Sequence, residues 1–133
     1  AYGMFAAGGR ELALRRETIE ALMAPAIPSR HGFFDECLGG LVEFSLGFMK
    51  SMDNRRRPRG DRDSAILSSA AFGHVGAGGS IGFADPELGM SFGYSMNRMG
   101  PGIMLNERGQ SLVDAAYRAV GFSSNQSGVW TRS

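Results

Sequence analysis

Alternating apolar and polar residues mark the strands of this chain, and apolar residues at helical spacing mark its helices. Val42, Phe44, Leu46 and Phe48 alternate with Glu43, Ser45 and Gly47, which predicts one half-buried strand. Ile81 and Phe83 alternate next, and Met90, Phe92, Tyr94 and Met96 alternate again. Between them Asp85-Pro86-Glu87-Leu88-Gly89 supplies a five-residue connection, so the pair predicts a hairpin. Residues 1–8 read as the tail of a helix closed by Gly8 and Gly9. A second short helix spans Arg16–Met23 and is stopped by Pro25 and Pro28. Residues 24–40, punctuated by Pro and Gly, read as irregular. Leu112, Val113, Ala116, Tyr117 and Val120 share one face of a helix over about Glu107–Val120, closed by Gly121. The expected architecture is α+β: an antiparallel sheet with a terminal helix packed on one face. Residues 1–121 form the domain, and 122–133 a polar tail, frayed from Ser123.

Composition narrows this picture. The chain of 133 residues fits one domain, and 43% apolar against 20% charged residues is a globular balance. A net charge of +1 makes no case for a nucleic-acid or membrane surface. No apolar run approaches the roughly 20 residues of a membrane span and no signal peptide opens the chain, but with a preceding part of the protein expected the compartment stays unknown, cytoplasmic only if a choice is forced. A single cysteine, Cys37, excludes an internal disulfide framework. Packing or solvent exposure accounts better than chemistry for both Cys37 and Trp130. The stretch DNRRRPRGDRD, Asp53 to Asp63, has two readings: a basic groove for phosphate or a solvated loop. Its interleaved aspartates and the lack of an aromatic platform favour the loop.

Candidate chemistry concentrates in FGHVGAGGSIGF, residues 72–83. A phosphate loop needs a lysine after its last glycine, and the only lysine is Lys50. The dinucleotide pattern G-x-G-x-x-G fails at Ile81, and a strand follows where a helix belongs. His31 and His74 have no carboxylate or thiol at ligand spacing, so neither a metal nor another cofactor is implied. For His74 the plain alternative is a strand-edge histidine hydrogen-bonded to its neighbours. Acyl-transfer enzymes, however, need backbone N–H groups aimed at the oxygen that becomes negative in the transition state. A polar side chain followed by nearly bare backbone, HVGAGG, suits a strand lining a substrate.

The run FGHVGAGGSIGFADPELGMSFGYSMNRM, residues 72–99, resembles the C-terminal active-site strand and hairpin of the serine β-lactamase-related family. That family holds class C β-lactamases, penicillin-binding-protein-like peptidases and esterases. ERGQSLVDAAYRAVG resembles its closing helix and GGRELALRRETIEALMAP an earlier segment, so the likeness runs over about residues 1–121. The resemblance implies a β-lactamase/transpeptidase-like α/β fold and an esterase or amide hydrolase working through an acyl-serine, with a small ester or amide as substrate. Three motifs meet at the family's cleft: S-x-x-K, Y-x-N, and a strand motif K-T-G or H-x-G. Position by position, His74 then stands as the polar cleft residue. Gly76 keeps the strand open, with Val75 and Gly78 beside the substrate, and the N–H of Ala77 is one oxyanion donor.

The departures matter as much. Gly47 stands three residues before the sole lysine, so S-x-x-K is absent, and no tyrosine begins Y-x-N. Nucleophile and base are therefore expected in a preceding part of the same protein, for which this chain is the C-terminal portion. Valine at 75 lacks the hydroxyl that helps bind a β-lactam carboxylate, and histidine at 74 lacks a permanent charge. Both lean toward the esterase-like members. Two rivals stand beside this reading: a non-catalytic binding or regulatory member of the same fold, and a self-sufficient small β protein. Against the second, strands lacking their neighbours would expose unpaired edges and lower solubility. Substrate identity and oligomeric state are not legible.

Overall fold

The computed structural model describes residues 1–56 and 64–132. The loop stretch Asp53 to Asp63 lies largely outside the described residues.

Helix α1 spans Tyr2–Ala6, and Gly8 and Gly9 after it take left-handed conformations. A single 3-10 turn, Arg10–Leu12, leads to α2, Arg16–Met23, with the bounds its sequence implied. Two paired two-residue strands follow within the irregular stretch, β1 Phe34–Asp35 and β2 Gly40–Leu41. The single strand expected over 42–48 is instead a tight hairpin, β3 Phe44–Ser45 and β4 Phe48–Met49. Leu46 and Gly47 have φ of 48° and 85°, the paired positive values of a two-residue hairpin turn. Alternation survives such a turn, so the apolar period alone hid it.

Strands β5 Phe72–Gly76, β6 Ser80–Asp85 and β7 Met90–Tyr94 complete a five-stranded antiparallel sheet in the order β3-β4-β5-β6-β7. The β6–β7 connection has four residues rather than five, because Asp85 still pairs with Met90. Helix α3, Glu107–Ala119, closes the chain's regular structure. None of these helices is long and apolar enough to cross a membrane.

The sheet has a core on each face, because successive strand side chains alternate. Val75, Ile81 and Phe83 pack with Val113 and Tyr117 of α3. Phe72 and Ala84 point the other way and pack with Ala6, Ile19 and Leu22 of α1 and α2. The helices thus sandwich the sheet, where the periodicity alone had placed the terminal helix on one face.

The frayed tail expected after Ser123 is also corrected. Ser123 and Ser124 bond to Thr131, and the N–H of Trp130 donates to Leu67 O at 2.9 Å. Trp130 is 3% exposed and stacks on Tyr117 at 5.7 Å. The buried indole and these backbone bonds together hold the polar segment on the core.

A buried polar knot joins α3 to the sheet. Asp85 is fully buried, and its Oδ2 accepts from Ser68 Oγ at 2.5 Å and from the Tyr117 hydroxyl at 3.1 Å. That hydroxyl also accepts from Ser68 N at 3.0 Å. Burial and the neighbouring Asp85 push the Tyr117 hydroxyl far above its ordinary range, so it stays a donor.

Lys50 is 5% exposed and donates from Nζ to the carbonyls of Leu22 at 3.3 Å and Met23 at 2.8 Å. These are orphan carbonyls at the end of α2, and the lysine caps them. Burial pushes its pKa down to about 8, partly offset by Asp85, Glu43 and Glu87. The only lysine of the chain is therefore committed to holding α2 on the sheet.

Candidate functional site

Strand β5 pairs fully with β6, with His74 opposite Gly82 and Gly76 opposite Ser80. On its other side it pairs with β4 at one register position, Met49 with Gly73. Beyond Gly73, among the described residues, the outer edge of β5 carries no strand partner. His74, Val75, Gly76 and the following Ala77 lie along that free edge.

His74 and Ala77 are exposed and Gly76 is half-exposed. His74 Nδ1 lies 2.7 Å from Val75 O. A carbonyl only accepts, so this bond requires the proton on Nδ1. Neutral His74 then presents Nε2 as a free acceptor, and the protonated ring presents it as a donor. The His74 ring also lies 6.3 Å from the ring of Phe44 on β3. The hydrogen bond to a neighbouring carbonyl matches the plain strand-edge alternative, and the exposed Nε2 leaves the ring usable for chemistry.

Ala77 is the exposed residue of the β5–β6 turn. The N–H of Gly79 donates to Gly76 O at 3.0 Å, and Gly78 has φ of 81°. Those values describe a type II turn with Ala77 second and glycine third, where positive φ is required. Among the described residues no backbone carbonyl takes the Ala77 N–H. It belongs to an exposed residue of a fixed turn, at the end of the strand that carries His74.

The other candidate positions face inward. Val75 is 8% exposed and its side chain belongs to the core, so only its backbone reaches the edge. That burial is reason enough for an apolar side chain at 75, independent of any missing hydroxyl. A side chain at Gly76 would collide with Ser80 Oγ. Gly78 is buried, and a Cβ there would lie 2.8 Å from Met99 Cβ. Gly79 is buried against the Asn106 side chain.

Asn106 is a positioning residue that the strand motif does not reveal. Its Oδ1 accepts from Gly109 N at 3.3 Å and caps α3. Its Nδ2 donates to Gly78 O at 3.1 Å. From the far side, Gly78 N donates to Gly102 O at 3.0 Å and Gly100 N donates to Gly78 O at 2.9 Å. The start of α3 and the Gly100–Gly102 segment therefore hold the turn that displays Ala77. An asparagine directly before Glu107 was a legible cap signal, but its second bond was not. Phe44 was likewise read only as a strand residue.

Electrostatically the edge is sparse. His31 and Cys37 are exposed and lie apart from it, in the irregular stretch. Among the described residues no group of three His, Cys, Asp or Glu side chains is placed to hold a metal. The site offers one backbone donor, one imidazole and an open strand edge. That set can bind a carbonyl and stabilise charge on its oxygen, and contains no activated nucleophile.

A five-stranded antiparallel sheet between helices, with an H-x-G strand open at its edge, defines the β-lactamase/transpeptidase-like class. Two of the solved structures similar to this chain show the likeness. A penicillin-binding protein homologue from Caulobacter crescentus matches with a TM-score of 0.66 at 31% identity, over 89% of this chain and 29% of its own. A family VIII carboxylesterase matches with a TM-score of 0.61 at 31% identity, over 88% of this chain and 29% of its own. No family model and no curated protein matches. In fold and sequence the chain matches the serine β-lactamase-related family, and it spans less than a third of the length of these two proteins.

Proposed function

We propose that this chain is the C-terminal part of a serine hydrolase that cleaves a small ester or amide through an acyl-serine intermediate. Its share is the strand wall of the cleft, one oxyanion-hole donor from Ala77, and His74 as the polar group beside the reacting carbonyl. The observation that carries the reading is the N–H of the exposed Ala77, which no backbone carbonyl takes among the described residues, on a turn locked from behind by Asn106 and Gly102. Catalytic donors of this kind work because they are oriented before the charge develops. The likeness to a carboxylesterase and a penicillin-binding protein homologue supports the same chemistry.

In this mechanism a serine supplied by a preceding S-x-x-K attacks the substrate carbonyl, and its proton passes to the lysine. The carbonyl oxygen gains charge between the serine's own N–H and that of Ala77. The proton taken by the lysine passes on to the departing oxygen or nitrogen, and neutral His74, its Nδ1–H held by Val75 O, accepts at Nε2 a proton from the attacking water. Water then releases the acid and restores the serine.

The test is hydrolysis of p-nitrophenyl butyrate and nitrocefin by the 133-residue chain and by the complete protein. The chain alone gives no turnover, and the complete protein turns over at least one of them, blocked by a serine-directed inhibitor. Inhibitor-sensitive hydrolysis by the chain alone would overturn the proposal. A complete preceding domain without S-x-x-K would instead favour a non-catalytic binding member of the fold.

A further inference from the structure

A cavity of about 310 Å3 opens along α3, between the helix and the segment that leads into β5. It is separate from the candidate cleft, since neither His74 nor Ala77 lines it. Its apolar part is Ile66 and Leu105, both buried. Asp114 and Arg118 stand in its wall one helical turn apart, the spacing and order in which an acid and a base ordinarily pair. Here they do not pair. Asp114 Oδ1 accepts from Gln110 Nε2 at 2.7 Å and from Asn125 Nδ2 at 3.3 Å, which fixes the carboxylate and leaves Oδ2 open. Arg118 is drawn the other way, with its Cζ 5.4 Å above the Trp130 ring. Among the described residues its guanidinium makes no hydrogen bond. Ser64, also in the wall, is 6% exposed, and among the described residues its hydroxyl has no hydrogen-bond partner. Of the other charged groups, the Arg55 guanidinium is already bonded to Asp53 and Asn125, and Glu107 lies exposed at the rim.

We propose that this cavity is a binding site for a small zwitterion, an α-amino acid with an aliphatic side chain. Its ammonium group donates to Asp114 Oδ2 and Ser64 Oγ, its carboxylate accepts from Arg118, and its side chain lies on Ile66 and Leu105. A simple anion would meet Asp114 and Glu107, and a simple cation would meet Arg55 and Arg118. Only a ligand carrying both charges satisfies the open groups without opposing their neighbours. Residues four apart on a helix stand about 6 Å from each other, so the ligand's two charges belong close together, as on one α-carbon. At roughly 30 Å3 per water-sized group, the space holds about ten atoms, which fits leucine or methionine. The site is independent of the hydrolase reading.

The test is isothermal titration calorimetry of the complete protein with each enantiomer of leucine. Two analogues accompany it: 4-methylpentanoate, which lacks the ammonium group, and 3-methylbutylamine, which lacks the carboxylate. At least one enantiomer binds saturably, and each analogue binds about tenfold or more weakly, the loss expected for a hydrogen-bonded charge. Asp114→Asn keeps the oxygen that Gln110 and Asn125 use, so the wall is retained while the advantage of leucine over 4-methylpentanoate collapses. Arg118→Gln, at an exposed residue, collapses its advantage over 3-methylbutylamine. The comparison of analogues on the unsubstituted protein stands whether or not either variant folds. Absence of saturable leucine binding, an analogue that binds as well as leucine, or folded variants that keep the parent's preferences would each overturn the inference. Since no readout involves turnover, these results bear on this site alone.

Discussion

The sharpest perturbation is Ala77→Pro in the complete protein, because it replaces the N–H in question with an N–CH2 that cannot donate. Ala77 is second in a turn closed by Gly79 N to Gly76 O at 3.0 Å, with Gly78 at φ 81° as third residue. Proline is favoured at that second position. The residue before a proline must be extended, and Gly76 ends strand β5. Among the described residues, no backbone carbonyl loses a partner when the Ala77 N–H disappears. The folded state is therefore unchanged or slightly more stable, by about 0.4–1 kcal/mol from reduced freedom of the unfolded chain. Catalysis is another matter. Loss of one oxyanion donor costs roughly 10²–10³ in kcat, about 3–4 kcal/mol of transition-state stabilisation. Because the bond strengthens as the oxygen gains charge, its loss falls on kcat, and the ring CH2 standing at the donor's position raises KM as well. The assay is steady-state hydrolysis of p-nitrophenyl butyrate beside thermal unfolding, with Ala77→Gly as a control that keeps the N–H. An Ala77→Pro enzyme of normal stability whose kcat stays within about tenfold of the parent would refute the assignment of this donor.

His74→Ala lowers kcat/KM in the same assay and leaves Tm nearly unchanged, since the ring is exposed; lost stability with intact kinetics would return His74 to a strand-edge role. Tyr117→Phe leaves the buried Ser68 N–H and one oxygen of Asp85 without the hydroxyl partner, which costs about 1–3 kcal/mol and appears as a lowered Tm. Lys50→Met tests the buried lysine through pH. The folded protein holds the Lys50 pKa at about 8, against an ordinary 10.5. Between those values the unfolded chain binds more protons, so stability rises with pH there. Relative to Lys50→Met, the parent gains about 2 kcal/mol from pH 7 to pH 10. Matched unfolding curves at the two pH values check this, and parallel pH profiles would show that the lysine is not held in a depressed state.

Much of the fold was legible because its signals are local. The bounds of α2 follow from a helical run stopped by Pro25 and Pro28. The β6–β7 hairpin follows from clean alternation around a Pro and Gly turn, and α3 from apolar spacing ended by Gly121. The misreadings share one cause, tertiary contact overriding local pattern. Alternation from Val42 to Phe48 continues through a two-residue turn, and only the positive φ of Leu46 and Gly47 separates strand from hairpin. The polar segment after Ser123 carries no period, yet Trp130 anchors it against Tyr117. At the site, His74 and its neighbours could be picked out by motif. Phe44 and Asn106 come from remote segments, and no spacing along the chain ties either to His74.

The glycine cluster shows how the local and tertiary levels combine. In sequence, HVGAGG looks like backbone stripped bare for a ligand. In three dimensions the bareness serves the protein's own interior first. Gly78 admits Met99, Gly79 admits Asn106, and Gly76 clears Ser80. Each close approach fixes the turn from behind. The one residue between Gly76 and Gly79 that is not glycine, Ala77, is the one turned outward. Glycine's freedom, usually linked to flexibility, here permits contacts that remove it. An oxyanion donor needs that rigidity, because a donor that must reorient during the reaction spends its stabilisation on its own reorganisation. The free edge adds the second requirement. Were β4 to continue pairing past Gly73, its carbonyls would occupy the outward N–H groups of β5. The tight turn at Leu46 and Gly47 and the short β4 leave that edge without a strand partner among the described residues, as the proposed substrate strand requires.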